Sequence, residues 1–381
     1  MLNHVIDIHD FPLHTPFAIS GGTMQTAQCA IVVLRDEYGN TGIGEAAPFS
    51  AVSGQRLADT ANRIEDFLAR HKHHNAIDVL RAEKTVLMGD PSALCAVECA
   101  LLGLIARQHG TPLWRLFGSP RTTCAPTVKT DLTVPVMKPD QVKPFLERFR
   151  AHKFSTYKVK VSGDVVSDID SVLATHDWAK GNRDGESCEI LLDGNQGYAL
   201  DSAHKLLKEL AELGINPSCF EQPLPKDNWK GLAKLSATSP VPLLLDESVM
   251  CAADVAKAAR LGAGGMINIK ITKSGVIESL RMIATARALG LGMMIGGMVE
   301  TEIAMGFSLH MACGLDSFRF IDLDTPFFLK NAITTGSPWT RHTCELPVPT
   351  GKGLGLDLLA PQRRAALAEQ ETDAGLVTVT S

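Results

Sequence analysis

From about residue 124 to 340 the chain repeats one pattern. A short apolar run ends on a polar or small residue, and a stretch with apolar positions every three or four residues follows it. The runs end near Thr133 (DLTV), Lys160 (TYKVK), Asp193 (EILLD), Glu221 (SCFE), Asp246 (PLLLD), Lys270 (MINIK), Gly297 (GMMIGG) and Asp322 (FRFID). From Asp193 onward successive ends lie 24 to 28 residues apart, which suits a strand plus one covering helix. Eight such units predict an α/β fold, a (β/α)8-type, TIM-like barrel. An open doubly wound sheet alternates in the same way, but it usually carries a Gly-rich phosphate turn after its first strand, and none is present.

Ahead of this repeat the rhythm differs. Residues 1 to about 45 read as strands (VIDI, QCAIVVL, TGIGEA) with the turn DEYGN among them. Asp90 and Pro91 then make an N-cap and first position for SALCAVECALLGLIARQH, and Gly110 is a natural stop. The reading is an α+β capping domain over 1–120 and a barrel over 121–340. The segment 341–381 is expected to return to the first domain.

The totals narrow the function class. With 381 residues, 45% of them hydrophobic, the chain can build sizeable cores, and its net charge of −5 argues against a nucleic-acid surface. No window reads as apolar enough to span a membrane, and MLNHVIDIHDFPLHTPF has neither the basic start nor the apolar stretch of an export signal. A cytoplasmic protein acting on a small molecule is expected. Nine cysteines without a CxxC pair suit buried, reduced thiols; Cys95 and Cys99 are one helical turn apart, but no ligand set surrounds them.

A barrel carries its site at the C-terminal ends of its strands, which draws attention to Asp193, Glu221 and Asp246 on three successive strands. Crowded carboxylates repel one another unless a cation sits among them, and Mg²⁺ suits a few carboxylates with open positions left over. Each acid could instead cap the helix that follows it. Asn195 could support the metal or hold a turn. Lys158 and Lys160, two apart on a strand, share a face, and burying both against aliphatic helices would be costly, so the interior is favoured. Lys270 ends a strand across the barrel. Two opposed lysines with a metal between them describe a two-base site for moving the proton on a carbon next to a carboxylate, and a nearby metal cation and like charges are expected to lower the lysine pKa values.

These residues, in order, resemble the enolase superfamily, in its muconate-cycloisomerase-like subgroup, and within it the dipeptide epimerases. The matching stretches are TPF (Thr15 to Phe17), GxGEAAP (Gly42 to Pro48), KVKV, LLDGNQG, FEQPL, LLLDES, INIKITKSG, GGMVET and DLDTP. The resemblance implies Mg²⁺ held by Asp193, Glu221 and Asp246, with Lys160 and Lys270 as acid/base catalysts. It implies that Lys158 stabilises the enolate or the substrate carboxylate, and that Thr133 and Met298 line the substrate site. Asp322 and Asp324 would hold the free α-ammonium of a dipeptide, since residues i and i+2 of a strand share a face. Two loops, around residues 17–28 and 48–56, would close over the mouth, and the protein would be a homo-oligomer.

Other readings stay open at this stage. The DxD pair could cap a last helix or brace a barrel lysine. N-acylamino acid racemisation, cycloisomerisation, dehydration or simple binding of small acids could occupy the same scaffold. The stretch AISGGTMQTAQ contains no Lys or Arg, which leans away from an Ala-Glu substrate and toward an uncharged second residue, and Ser274, Gly275 and Val276 depart from the Gly-Gly usual after the strand-six lysine.

Overall fold

The computed structural model describes residues 1–19, 22–48, 54–118, 127–182 and 187–360. Residues 49–53, within the second expected loop, and the tail 361–381 lie outside the described residues.

The first unit is an antiparallel sheet of β1 (Leu2–Ile19), β2 (Gly22–Asp36) and β3 (Thr41–Ala46), covered by helices Leu57–His71 and Pro91–Gln108. Asp90 caps the second helix through Ala93 N, with Pro91 in its first turn, as the sequence indicates. Gly42 and Gly44 let this helix lie against β3: a Cβ at Gly42 would come within 2.0 Å of Ala100 O, and one at Gly44 within 1.9 Å of Ala96 O. One correction arises here. Pro91–Gln108 does reach the length and mean hydropathy, 1.2, of a membrane span, and 72% of it is buried, because it is the core helix of this unit. Within the first expected loop the described residues belong to β1 and β2, with Phe17 opposite Met24, and residues 20 and 21 lie outside the described residues.

The second unit is an eight-stranded parallel sheet running in chain order through β5 (Leu132–Val134), β6 (Thr156–Lys160), β7 (Glu189–Asp193), β8 (Cys219–Glu221), β9 (Leu243–Leu245), β10 (Met266–Ile269), β11 (Gly292–Ile295) and β12 (Phe320–Ile321). It curls until Asp131 N donates to Ile321 O at 2.9 Å, joining first strand to last as a barrel. Helices connect each strand to the next, but β12 runs into a 3-10 turn, Thr325–Phe328, and no helix follows it among the described residues. The short strand β4 (Thr127–Lys129) pairs with β14 (Glu345–Pro347), and β13 (Thr334–Thr335) pairs with β15 (Asp357–Leu358). Leu113 N donates to Gly353 O, and Arg107 reaches Asp357, which ties Gly353 and Asp357 to the end of the first unit.

Period-2 alternation sorts the barrel strands. Ile190, Leu192, Phe220, Leu243, Leu245 and Ile267 face the helices. Leu191, Cys219, Leu244, Met266, Met294 and Phe320 face inward and pack on one another as a floor. Two buried carboxylates dock the units together. Glu45 accepts from Thr301 N, Thr301 Oγ1 and Ala304 N at the start of helix Glu302–Leu315, and Glu98 accepts from Val276 N and Ile277 N at the start of Val276–Ala288. The GxGEAAP motif thus holds the glycines that admit the first unit's core helix and the acid that fastens that unit to the barrel.

Candidate active site

Two residues beyond the floor, five of its six strands turn a polar side chain inward, and β11 has Gly296 there. Asp193 and Glu221 are the last residues of β7 and β8, while Asp246, Lys270 and Asp322 follow the ends of β9, β10 and β12 by one. None of the three acids caps the next helix; those caps are Ala199, Asn228 and Cys251. Thr133, Lys158, Lys160, Asp246, Lys270, Met298 and Asp322 all line one cleft of about 510 Å³ between barrel and hairpin, with Phe17 of β1 on its wall. Asp193, Glu221 and Asp324 sit fully buried beneath it.

Each of the three expected metal ligands is held in the same way. One oxygen is fixed by a structural donor: Asp193 Oδ1 by Asn195 N at 3.0 Å, Glu221 Oε1 by Asn268 Nδ2 at 2.7 Å, Asp246 Oδ1 by Lys273 Nζ at 2.5 Å. The other oxygen faces the site. Asp193 Oδ2 lies 2.6 Å from Lys160 Nζ and 3.1 Å from Lys158 Nζ, Glu221 Oε2 lies 2.7 Å from Lys158 Nζ, and Asp246 Oδ2 lies 2.7 Å from Lys270 Nζ. Three inward oxygens on adjacent strands, each oriented from behind, suit a hard divalent cation.

The loops behind these acids explain further motif residues. Gln222 holds the LLLDES loop by accepting from Asp246 N and Ser248 N and donating to Ser248 Oγ and Leu224 O; its φ of 30° places it in the left-handed region, beside Glu221. Asn195, at φ 38°, accepts from Lys160 Nζ at 3.1 Å, so it both makes the turn and touches Lys160. Lys273, one helical turn beyond Lys270, also donates to the carbonyls of Asp246, Asn268 and Val249. Gly275, at φ 77°, keeps the turn after Lys270 despite the preceding serine; a Cβ there would meet Leu94 at 2.8 Å.

The acids around the lysines set their titration when no cation lies among them. Burial disfavours the Lys158 ammonium, but Asp322, Glu221 and Asp193 outweigh it and raise its pKa well above the ordinary value; Asp246 and Glu221 do the same for Lys270. The expected lowering supposed a metal cation beside the lysines, and the described side chains give them carboxylates. Burial opposes ionisation of Asp193 and Asp246 too, yet lysines hold both below the usual carboxylate range. Burial and then Asp193 push Glu221 up to about 8, against the pull of Lys158.

At the DxD pair, the lysine-bracing reading holds for Asp322, whose Oδ2 accepts from Lys158 Nζ at 2.8 Å. The helix-capping reading fails: Asp324 makes no cap hydrogen bond, and its Oδ2 accepts from Thr133 N. A residue the sequence reading passed over, Asp131, joins them. One carboxylate oxygen from each of Asp131, Asp322 and Asp324 lies within 4.8 Å of the others. Asp322 pairs with Lys158 and lines the cleft, while Asp131 and Asp324 lie buried behind it.

Residues 3–118 match the family model "Mandelate racemase / muconate lactonizing enzyme, N-terminal domain", and residues 141–362 match "Enolase C-terminal domain-like". The chain belongs to the enolase superfamily. Within this superfamily it is similar to the aromatic dipeptide epimerase of Herpetosiphon aurantiacus, at 36% identity over 91% of this chain and 96% of that protein. It is also similar to the hydrophobic dipeptide epimerase of Citrifermentans bemidjiense, at 31% identity over 91% and 94%. Among solved enolase-superfamily structures, it superposes on the Enterococcus faecalis dipeptide epimerase complexed with Mg and L-Leu-L-Tyr with a TM-score of 0.84, at 27% identity over 93% of this chain and 98% of that one.

Proposed function

We propose that the protein is a Mg²⁺-dependent dipeptide epimerase that inverts the α-carbon of the C-terminal residue. The observation that carries this reading is the placement of the two bases. Lys160 ends β6 and Lys270 follows β10, four strands apart in an eight-stranded barrel, so they face each other across the cleft. Asp193, Glu221 and Asp246 would hold the metal, and Mg²⁺ when bound supplies the positive charge that makes a proton next to a carboxylate easier to remove. One lysine takes the α-proton from its face of the substrate, leaving a planar carbon, and the other returns a proton to the opposite face. Lys158, between the acids and Asp322, would bind the substrate carboxylate side, and Asp322 with Asp324 would receive the free amino end.

Thr133 and Met298 would line the substrate. Phe17, Met298 and Val299 make part of the cleft wall apolar, and the hairpin stretch AISGGTMQTAQ offers no cation, so an apolar second residue is favoured over glutamate. Incubation of a dipeptide library with the Mg²⁺-loaded protein in D2O tests the reading. Deuterium should enter the C-terminal α-carbon of free dipeptides, fastest for apolar second residues, and not that of N-acylated ones. No exchange with any free dipeptide would sink it.

A further inference from the structure

Asp131 lies two residues before Thr133 and is 2% exposed. Neither of its carboxylate oxygens meets a hydrogen-bond donor among the described residues, and the same is true of Asp324 Oδ1. The groups facing the Asp131–Asp322–Asp324 trio are few. From β6 comes Lys158, bonded to Asp322 and shared with Glu221 and Asp193; from β5 comes the Thr133 N–H on Asp324; from β8 comes Glu221, another acid. Three carboxylates with one oxygen each within 4.8 Å of one another, two of them sealed from water and neither oxygen of Asp131 meeting a donor, oppose full ionisation of the set in a buried site. That opposition eases if the trio keeps a proton until another cation arrives.

We propose, resting on the dipeptide reading above, that Asp131 is a positioning residue behind the amino-end receptor: the trio shares one proton in the free protein and releases it to solvent as the substrate ammonium binds. The exchange balances. One positive charge enters, one O–H bond breaks and one proton leaves to solvent, so the occupied site carries the same charge as the empty, protonated one. Asp131 suits the role because no donor holds it as an anion. The titration directions agree: burial, then Asp322 and Asp324, push Asp131 well above the usual carboxylate range, and burial and Asp322 push Asp324 up to about 7. The receptor would therefore grip an ammonium more tightly as pH rises toward neutrality, by about tenfold per pH unit while the proton is fully held. A neutral acylated nitrogen cannot drive the exchange.

Calorimetric titration of the full-length, Mg²⁺-loaded protein at pH 6 tests this. The ligand is L-alanylglycine, whose second residue has no stereocentre, and the comparator is propionylglycine, the same molecule without its amine. Each is run to saturation in two buffers of different protonation enthalpy, which counts protons released. The dipeptide should release about one proton more than propionylglycine, and Asp131→Asn should lose that excess. Equal counts for the two ligands in the unmodified protein, or an unchanged excess in Asp131→Asn, would overturn the proposal while leaving the dipeptide reading intact. If propionylglycine binds as tightly as the dipeptide, the amino-end receptor itself falls and the proposal with it. Should Asp131→Asn fail to fold, the comparison in the unmodified protein still decides.

Discussion

Leu191, Cys219, Leu244, Met266, Met294 and Phe320 form an apolar layer across the barrel interior, and two residues further along the same strands Asp193, Glu221, Asp246, Asn268, Gly296 and Asp322 form one with no aliphatic side chain. Both layers are buried, yet their energetics differ. Each large floor side chain contributes about 1.5–3 kcal/mol by leaving water. The ion pairs above cost desolvation that their mutual attraction does little more than offset, and buried charges of this kind can often be replaced by apolar groups without loss of stability. The floor therefore holds the fold together, and the charged layer is kept for chemistry. Mutations in the two layers should separate stability from activity.

The largest effect is expected at Lys270→Met. Epimerisation of a dipeptide should fall by about 10³-fold or more while circular dichroism shows a folded protein, because the proposed mechanism loses one of its two proton carriers and Asp246 keeps Lys273. Epimerisation close to the wild-type rate would remove Lys270 from the mechanism. Next, Leu244→Ala in the floor should cost about 2–5 kcal/mol in denaturant unfolding. Its activity per folded molecule should stay close to the parent's, and a large loss of turnover in the folded fraction would mean that floor and mouth are not separable.

Asn268→Leu sharpens the boundary between the layers, since Asn268 touches Glu221 but not the cleft. Mg²⁺ affinity, followed by titration of the metal-stripped protein, should weaken by about 10–100-fold. An unchanged affinity would show that Glu221 needs no orientation from behind.

The last effect concerns pH and is spread over several units. Glu300, outside the barrel interior, has its carboxyl pushed up to about 8 by burial and then by Glu45. Between the ordinary carboxylate value and 8 the unfolded chain has lost this proton and the native protein keeps it, so its contribution to stability falls as pH rises through that window. Glu300→Gln should remove the fall, gaining on the parent by up to about 1.4 kcal/mol per pH unit between pH 5 and 8 in chemical denaturation. Parallel stability curves for the two proteins would contradict it.

Much of the barrel was legible because its signal is local. An apolar run ending in Asp193 or Glu221 announces both a strand and its site end, and the spacing of such runs announces the repeat. What escaped depends on partners far away in sequence. Glu45 caps a helix more than 250 residues later, Gln222 holds a loop 24 residues on, and Lys273 looks like an ordinary surface lysine until its three carbonyl partners are seen. Asp131 was missed for a different reason: attention went to residues ending apolar runs, while this acid precedes one. Its phase, two before Thr133, already placed it on the interior face. The lack of an α-helix after β12 among the described residues was also unreadable, since TPFFL is apolar and carries Pro326 in its first turn, where a helix start would suit it, yet it forms a 3-10 segment.

The alternation that gives one face of each strand to the floor and mouth and the other to the helices also constrains how such a chain can change over generations. Deleting one residue within EILLD would carry Leu192 inward and turn Asp193 out among the helices, a change no single substitution repairs. Insertions and deletions among functional relatives should therefore gather in the connections and the β1–β2 hairpin, while the barrel strands vary in letters and never in count.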